Sequence, residues 1–209
     1  MSNAFIAPSA CIIGAGGAMA GGTGAKRTRI RDLAGLFLDD AAFAALAEAQ
    51  GDDVAYGVDE FRPARSAPQE LIFGTSTLQP GRVGDEFFMT RGHIHVKSDR
   101  PEIYYCQEGR GVMHMELPSG ETRPVEMAPG TVVYVPPYWI HRSVNTGRTP
   151  LVTFFCYPAD AGQDYDIIAR AGGMKTLIVA DGDGWREAEN PRYRTRDAAE
   201  VARYTGPAA

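Results

Sequence analysis

Thr90-Arg91-Gly92-His93-Ile94-His95, followed by Glu102, is the stretch whose reading decides the fold. In an extended segment side chains alternate, so His93 and His95 share one face. A third histidine, His141, lies 39 residues beyond Glu102, just after Pro136-Pro137-Tyr138-Trp139. Three of the chain's four histidines therefore fall in one pattern. Two neighbouring imidazoles, a carboxylate and a remote imidazole suit zinc, iron, manganese or nickel, with positions left for water or substrate. A lone histidine in a strand is more often a packed or surface group, and a His-x-His pair alone would leave the matter even. The glutamate and the third histidine decide it in favour of a metal. His114 has no partner in the pattern and is read as structural. The Pro-Pro-Tyr-Trp run is rigid and is expected to set the direction of His141.

Composition frames this reading. The 209 residues suffice for one domain with a sizeable core. Apolar residues make up 44% and charged residues 22%, as in ordinary globular proteins. A net charge of -5 gives no basic surface for nucleic acid, so no nucleic-acid partner is expected. No run approaches the ~18 apolar residues of a membrane span. Cys11, Cys106 and Cys156 form no CxxC, which suits free thiols in a reducing compartment. No basic residue precedes Lys26, so an export signal is incomplete and a cytoplasmic setting is expected.

Along the chain, residues 1–25 carry six glycines between Gly14 and Gly24. Gly14-Ala15-Gly16-Gly17 lacks the third glycine of a dinucleotide fingerprint, and no βαβ pattern follows. The stretch reads as a flexible arm, and no organic cofactor is expected. Asp39 and Asp40 offer an N-cap to a short helix over 41–50, with Phe43, Leu46 and Ala47 on one face and Gly51 as its stop. Residues 59–69 read as a loop or edge strand. From Glu70 to Pro158 the texture is short β-branched or aromatic runs separated by glycine turns such as Pro129-Gly130, which predicts an all-β sandwich or barrel. Beyond it, 164–171 reads as one or two helical turns and Leu177–Ala180 as a strand. The boundaries expected are an arm over 1–25, one domain over 26–195 and a polar, fraying tail over 196–209.

Parity sharpens the site. Glu102 and Tyr104 share one face of their strand, and Thr153, Phe155 and Tyr157 share one face of a later strand. A pocket lined by the metal, two tyrosines and a threonine suits a small polyhydroxylated ligand. With no Lys/Arg cluster near Thr90–Gly92, an anion there would rest on hydroxyls and backbone N–H groups.

Gly92-His-Ile-His95 with Glu102 and Gly109, then Gly130 with Val135-Pro-Pro-Tyr-Trp-Ile-His141 and Asn145, resemble the two cupin motifs. More narrowly, the run from Pro80-Gly81 through Glu86-Phe-Phe to His95, together with Pro129–Trp139 and Tyr157-Pro-Ala-Asp-Ala-Gly162, resembles the cupin-type glucose-6-phosphate isomerases. The likeness runs from about Arg29 to Tyr193. Against the general cupin pattern, the His95–Glu102 gap is longer and Tyr138 stands where glycine is usual, both features of the isomerase branch.

The resemblance implies a cupin (double-stranded β-helix, jelly-roll) barrel with a short N-terminal helical segment and a C-terminal extension. It further implies a homodimer with one divalent metal per subunit, held by His93, His95, Glu102 and His141. The implied reaction interconverts glucose 6-phosphate and fructose 6-phosphate through an enediolate or a hydride shift, with Glu102 as the candidate base. Thr90 and Gly92 would hold the phosphate, and Ser76, Tyr104, Tyr157, Gln163 and Tyr165 would line the sugar pocket. The family usually has Thr, His and Gly where this chain has Ser76, Gln163 and Asp166, and Gln cannot carry a proton. Two other classes share the ligands: another metal-dependent cupin enzyme, such as a dioxygenase or a sugar-phosphate isomerase of different specificity, and a sugar-binding cupin without catalysis.

Overall fold

The computed structural model of the chain describes residues 7–65 and 67–206. Residues 1–6 of the expected arm and 207–209 of the expected tail lie outside the described residues. The fold is all-β and antiparallel with short helices, as the glycine-punctuated runs predict. A six-stranded sheet has the order Val132–Val135, Glu102–Glu108, Leu151–Pro158, Leu71–Leu78, Val54–Phe61, Gly24–Arg29. A three-stranded sheet has the order Thr122–Met127, Gly111–Glu116, Ile140–Val144. A four-stranded sheet joins the C-terminal hairpin, Thr176–Asp181 with Gly184–Glu189, to Glu86–Phe87 and Arg82–Val83.

Parity along the Glu102–Glu108 strand is clean: Glu102, Tyr104 and Cys106 are buried while Ile103 and Tyr105 are exposed. On the facing sheet every residue of Gly111–Glu116 is buried, because one side meets the core and the other meets the C-terminal segment. Its polar members bond there, all but His114 Nδ1, which is buried without a partner. His114 Nε2 lies 2.9 Å from Thr176 Oγ1, and Glu116 accepts from the Lys175 N–H at 2.6 Å and pairs with Arg196 at 2.5 Å. His114 is thus a packed core group, as read from the sequence.

The helix expected over 41–50 spans Asp40–Gln50, with the Asp39 carboxylate accepting from the Ala42 N–H. Two regions depart from the sequence reading. The glycine-rich stretch expected as a free arm lies against the large sheet, where the Thr75 and Thr77 hydroxyls donate to the carbonyls of Gly17 and Gly16. A Cβ at Gly17, whose φ is +82°, would sit 2.7 Å from Thr77 Oγ1 and 2.8 Å from Val152 Cγ1, so only glycine permits this approach. The expected fraying tail instead holds a helix over Ala198–Thr205, capped by Asp197. Tyr204 anchors it in a second apolar cluster with Ile94, Ile140, Ile167, Ile168 and Met174. Among the described residues no helix is long and apolar enough to cross a membrane.

Candidate metal centre

His93 and His141 belong to segments far apart in sequence, yet their backbones pair directly. The His93 N–H donates to the His141 carbonyl at 3.1 Å, and the His141 N–H to the His93 carbonyl at 2.9 Å. This bridge puts the two rings 4.5 Å apart, while alternation through Ile94 brings the His95 ring to 5.4 Å from that of His93. Glu102 enters from the first residue of its strand in the opposing sheet, with Oε2 3.0 Å from His141 Nε2 and 3.2 Å from His95 Nε2. All four residues are buried.

One donor atom from each lies within 4.8 Å of the other three. Four ligands each about 2.0–2.2 Å from one ion stand at most about 4.4 Å apart, so little closure is needed. The buried Nε2 atoms of His93 and His95 have no directed hydrogen-bond partner, an expensive arrangement that a bound cation would relieve. The opposite ring nitrogens are fixed: His95 Nδ1 lies 2.8 Å from the Arg100 carbonyl and His141 Nδ1 3.1 Å from the Trp139 carbonyl. Each Nδ1 donates there, which leaves Nε2 with its lone pair turned inward. Arg100 is itself clamped by Asp160 at 2.9 and 3.0 Å. The Tyr138 backbone, left-handed at φ +75°, is held by an N–H donation to the Ser98 carbonyl at 2.7 Å. That conformation explains why glycine is usual at this position.

Electrostatics divide the cluster: His93 is held neutral, whereas His95 and Glu102 favour each other's charged forms. Burial, with His141 beside it, pushes His93 well below 6.5, so it is neutral at neutral pH. Burial alone would lower His95 and raise Glu102. Their mutual attraction outweighs it, raising His95 and, with His141, holding the Glu102 carboxyl well below the ordinary range. Burial and then the Glu102 charge push Tyr104 well above 10, so it stays a protonated phenol.

The cluster opens on a cavity of about 400 Å³. Ser76, Thr90, Gly92, Tyr104, Tyr157, Gln163 and Tyr165, the expected sugar-phosphate residues, all line it. The Thr90 hydroxyl accepts from the Ser143 N–H at 3.1 Å, leaving its proton to point elsewhere. Tyr165 donates to Gln163 Oε1 at 2.5 Å, which leaves the Gln163 amide N–H groups for a ligand. Thr153, expected in the pocket, is buried but does not reach the cavity, unlike Phe155 and Tyr157 on the same face.

The expectation that no Lys/Arg cluster stands near Thr90–Gly92 is corrected. Lys26, Arg62 and Arg91 line the same cavity, and Lys26 Nζ sits 5.8 Å from the Tyr165 ring centre. Lys26 belongs to the Gly24–Arg29 strand, and Arg62 directly follows the Val54–Phe61 strand paired to it. Only long-range pairing delivers them, and no local sequence signal marks it.

Fold and site define an all-β protein with a buried His3Glu group that could hold a metal ion, at the floor of a polar, cation-rimmed cavity. The glucose-6-phosphate isomerase (GPI) family profile matches residues 27–194. A glucose-6-phosphate isomerase of Sinorhizobium medicae (strain WSM419) is 57% identical over 201 residues, spanning 95% of this chain and 94% of that protein. One from Thermococcus litoralis is 45% identical over 166 residues, 79% of this chain and 86% of the other. Among solved structures, oxalate oxidase in complex with the substrate analogue glycolate superposes with a TM-score of 0.45 at 14% identity, over 53% of this chain and 55% of that one. The chain belongs to the glucose-6-phosphate isomerase family.

Gly92 tests how tightly the site is packed. Its φ is +72°, and an added Cβ would lie 2.8 Å from Arg142 Cβ, 2.9 Å from Ile168 Cδ1 and 3.0 Å from the His141 carbonyl. Gly92→Ala should therefore destabilise by roughly 2–5 kcal/mol, backbone strain and overpacking together. Urea unfolding measures this, and a change near zero would mean the wall is slack.

Proposed function

We propose that this chain is a metal-dependent aldose–ketose isomerase that interconverts glucose 6-phosphate and fructose 6-phosphate. The observation that carries the reading is the joining, in one cavity, of the buried His93–His95–Glu102–His141 cluster with hydroxyl, backbone and cationic groups suited to a sugar phosphate. Family membership supports it independently. In this reading one divalent ion per subunit, of iron, manganese, zinc or nickel type, is held by those four side chains, and no organic cofactor takes part. When bound, the ion supplies Lewis-acid stabilisation of charge developing on the sugar's carbonyl oxygen.

The chain's own groups divide the remaining work. Thr90 Oγ1, the Gly92 backbone, Lys26 and Arg62 bind the phosphate and thereby fix which end of the open-chain sugar reaches the cluster. Ser76, Gln163, Tyr157 and Tyr165 orient its hydroxyls. Tyr104 walls the reacting carbons off from water and, as a protonated phenol, donates a hydrogen bond. Glu102 stays ionised at neutral pH and is placed to take a proton from the carbon next to the carbonyl and return it to the neighbouring carbon. A carboxylate held at so low a pKa is a weak base, so the carbon must be acidified by stabilisation of the adjacent oxygen.

A homodimer fits the outer face of the large sheet. Val132 pairs with Tyr105 and Tyr134 with Ile103 on neighbouring strands, and all four are exposed. An apolar surface of this kind at a sheet edge invites a second copy. A cytoplasmic setting suits such an enzyme and the three free cysteines.

Two outcomes are expected. Mixing the metal-loaded protein with fructose 6-phosphate in deuterated water should yield glucose 6-phosphate carrying solvent deuterium at C2, seen by NMR. Glu102→Gln should slow this by about 10²–10⁴-fold. No product would sink the reading, and product without deuterium would replace proton transfer by a hydride shift. Separately, Tyr134→Glu should halve the mass measured by light scattering. An unchanged mass would place the interface elsewhere or remove it.

A further inference from the structure

Behind the wall formed by Thr90–Gly92 lies a second cavity, of about 340 Å³, whose lining shares only Arg91 with the first. Arg91, Arg142 and Arg192 line it, and no carboxylate does. Its remaining surface is largely apolar, with Leu36, Phe37 and Ile168 prominent.

Arg142 is the unusual member. It sits in the Ile140–Val144 strand, is 3% exposed, and its Nε is fully buried with no hydrogen-bond partner. Neither nearby carboxylate bonds to it. Glu116 is taken by Arg196 at 2.5 Å and by the Lys175 N–H at 2.6 Å, and Glu86 accepts from the Leu38 N–H through Oε1 at 2.5 Å while its buried Oε2 has no hydrogen-bond partner. No ion pair joins either of them to Arg142 among the described residues, although both act on it through space. A guanidinium keeps its charge at neutral pH, so what is buried here is an ion.

A buried, charged and unpaired guanidinium is costly unless an anion meets it. The other two arginines are already anchored for such a role. Arg192 is held by Asp40 and the Leu38 carbonyl, each at 2.8 Å, and Arg91 donates to the Asp32 carbonyl.

We propose that this cavity is a second anion site, taking a small phosphorylated metabolite. Its phosphate meets Arg142 and Arg91, and its neutral part lies over Leu36 and Phe37. Phosphate suits the position because a tetrahedral dianion can satisfy more than one guanidinium at once. The inference stands apart from the isomerase reading, which concerns the first cavity.

Equilibrium dialysis of the metal-loaded protein against radiolabelled inorganic phosphate, at constant ionic strength, tests it. Two phosphates per chain are expected, and fructose 6-phosphate, raised only until turnover saturates, displaces one and leaves the other retained. The retained phosphate should bind at least tenfold more weakly in Arg142→Gln. Leu36→Glu, which touches neither the cluster nor the first cavity, should weaken it equally, and the uncharged Leu36→Gln should not. A single phosphate per chain that fructose 6-phosphate displaces would overturn the proposal. So would a second phosphate indifferent to both Arg142→Gln and Leu36→Glu. If fructose 6-phosphate displaces neither phosphate while the variants still abolish one, the isomerase reading fails and this site remains.

Discussion

The backbone pairing of His93 with His141 is the constraint on which the site depends. Two hydrogen bonds join a loop-like segment to Ile140–Val144, an edge strand of the three-stranded sheet, and both partners are prospective ligands. Because the link is main chain to main chain, ring positions follow from backbone geometry rather than from flexible side chains. Glu102 closes the cluster from the opposite sheet, so the cradle exists only when both sheets are in place. Folding and site assembly are therefore one event.

Such a cluster is costly to bury and must be held against its own preference to relax. Three imidazoles and a carboxylate shielded from water lose hydration that only mutual contact or a cation can replace. Outer groups restrain the rings: the Arg100 carbonyl, fixed through Asp160, for His95, and the Trp139 carbonyl for His141. Even the left-handed Tyr138 belongs to this frame, since its N–H is tied to Ser98 beside the same segment. The arrangement resembles a preorganised site, in which the geometry exists before the reaction asks for it.

Much of this was legible in the sequence. Few histidines, a His-x-His parity argument and a glutamate at a strand start were enough to name four residues that converge in space. Short β-branched and aromatic runs marked the strands that face the core. Other strands were not readable, for identifiable reasons. Thr122–Met127 contains Pro124 and charged residues, and Gly24–Arg29 and Gly184–Glu189 are polar edge strands, so their pairing partners and not their own pattern define them. The same blindness hid Lys26 and Arg62 from the cavity. Thr153 failed in the opposite sense, since alternation gives a face but not the depth at which a cavity ends. The terminal helix was missed because one tyrosine, Tyr204, carries its burial amid polar neighbours.

The central claim is that these four buried side chains hold a divalent ion on which sugar-phosphate isomerisation depends. Its most direct test is a coupled assay of fructose 6-phosphate turnover on metal-stripped protein, re-supplied in turn with iron, manganese, nickel and zinc, with bound metal counted by mass spectrometry. The account predicts loss of turnover on stripping, recovery as about one ion per chain is bound, and neither recovery nor binding in His93→Ala. Full turnover by the stripped protein, or recovery in His93→Ala equal to that of the unaltered chain, would contradict it.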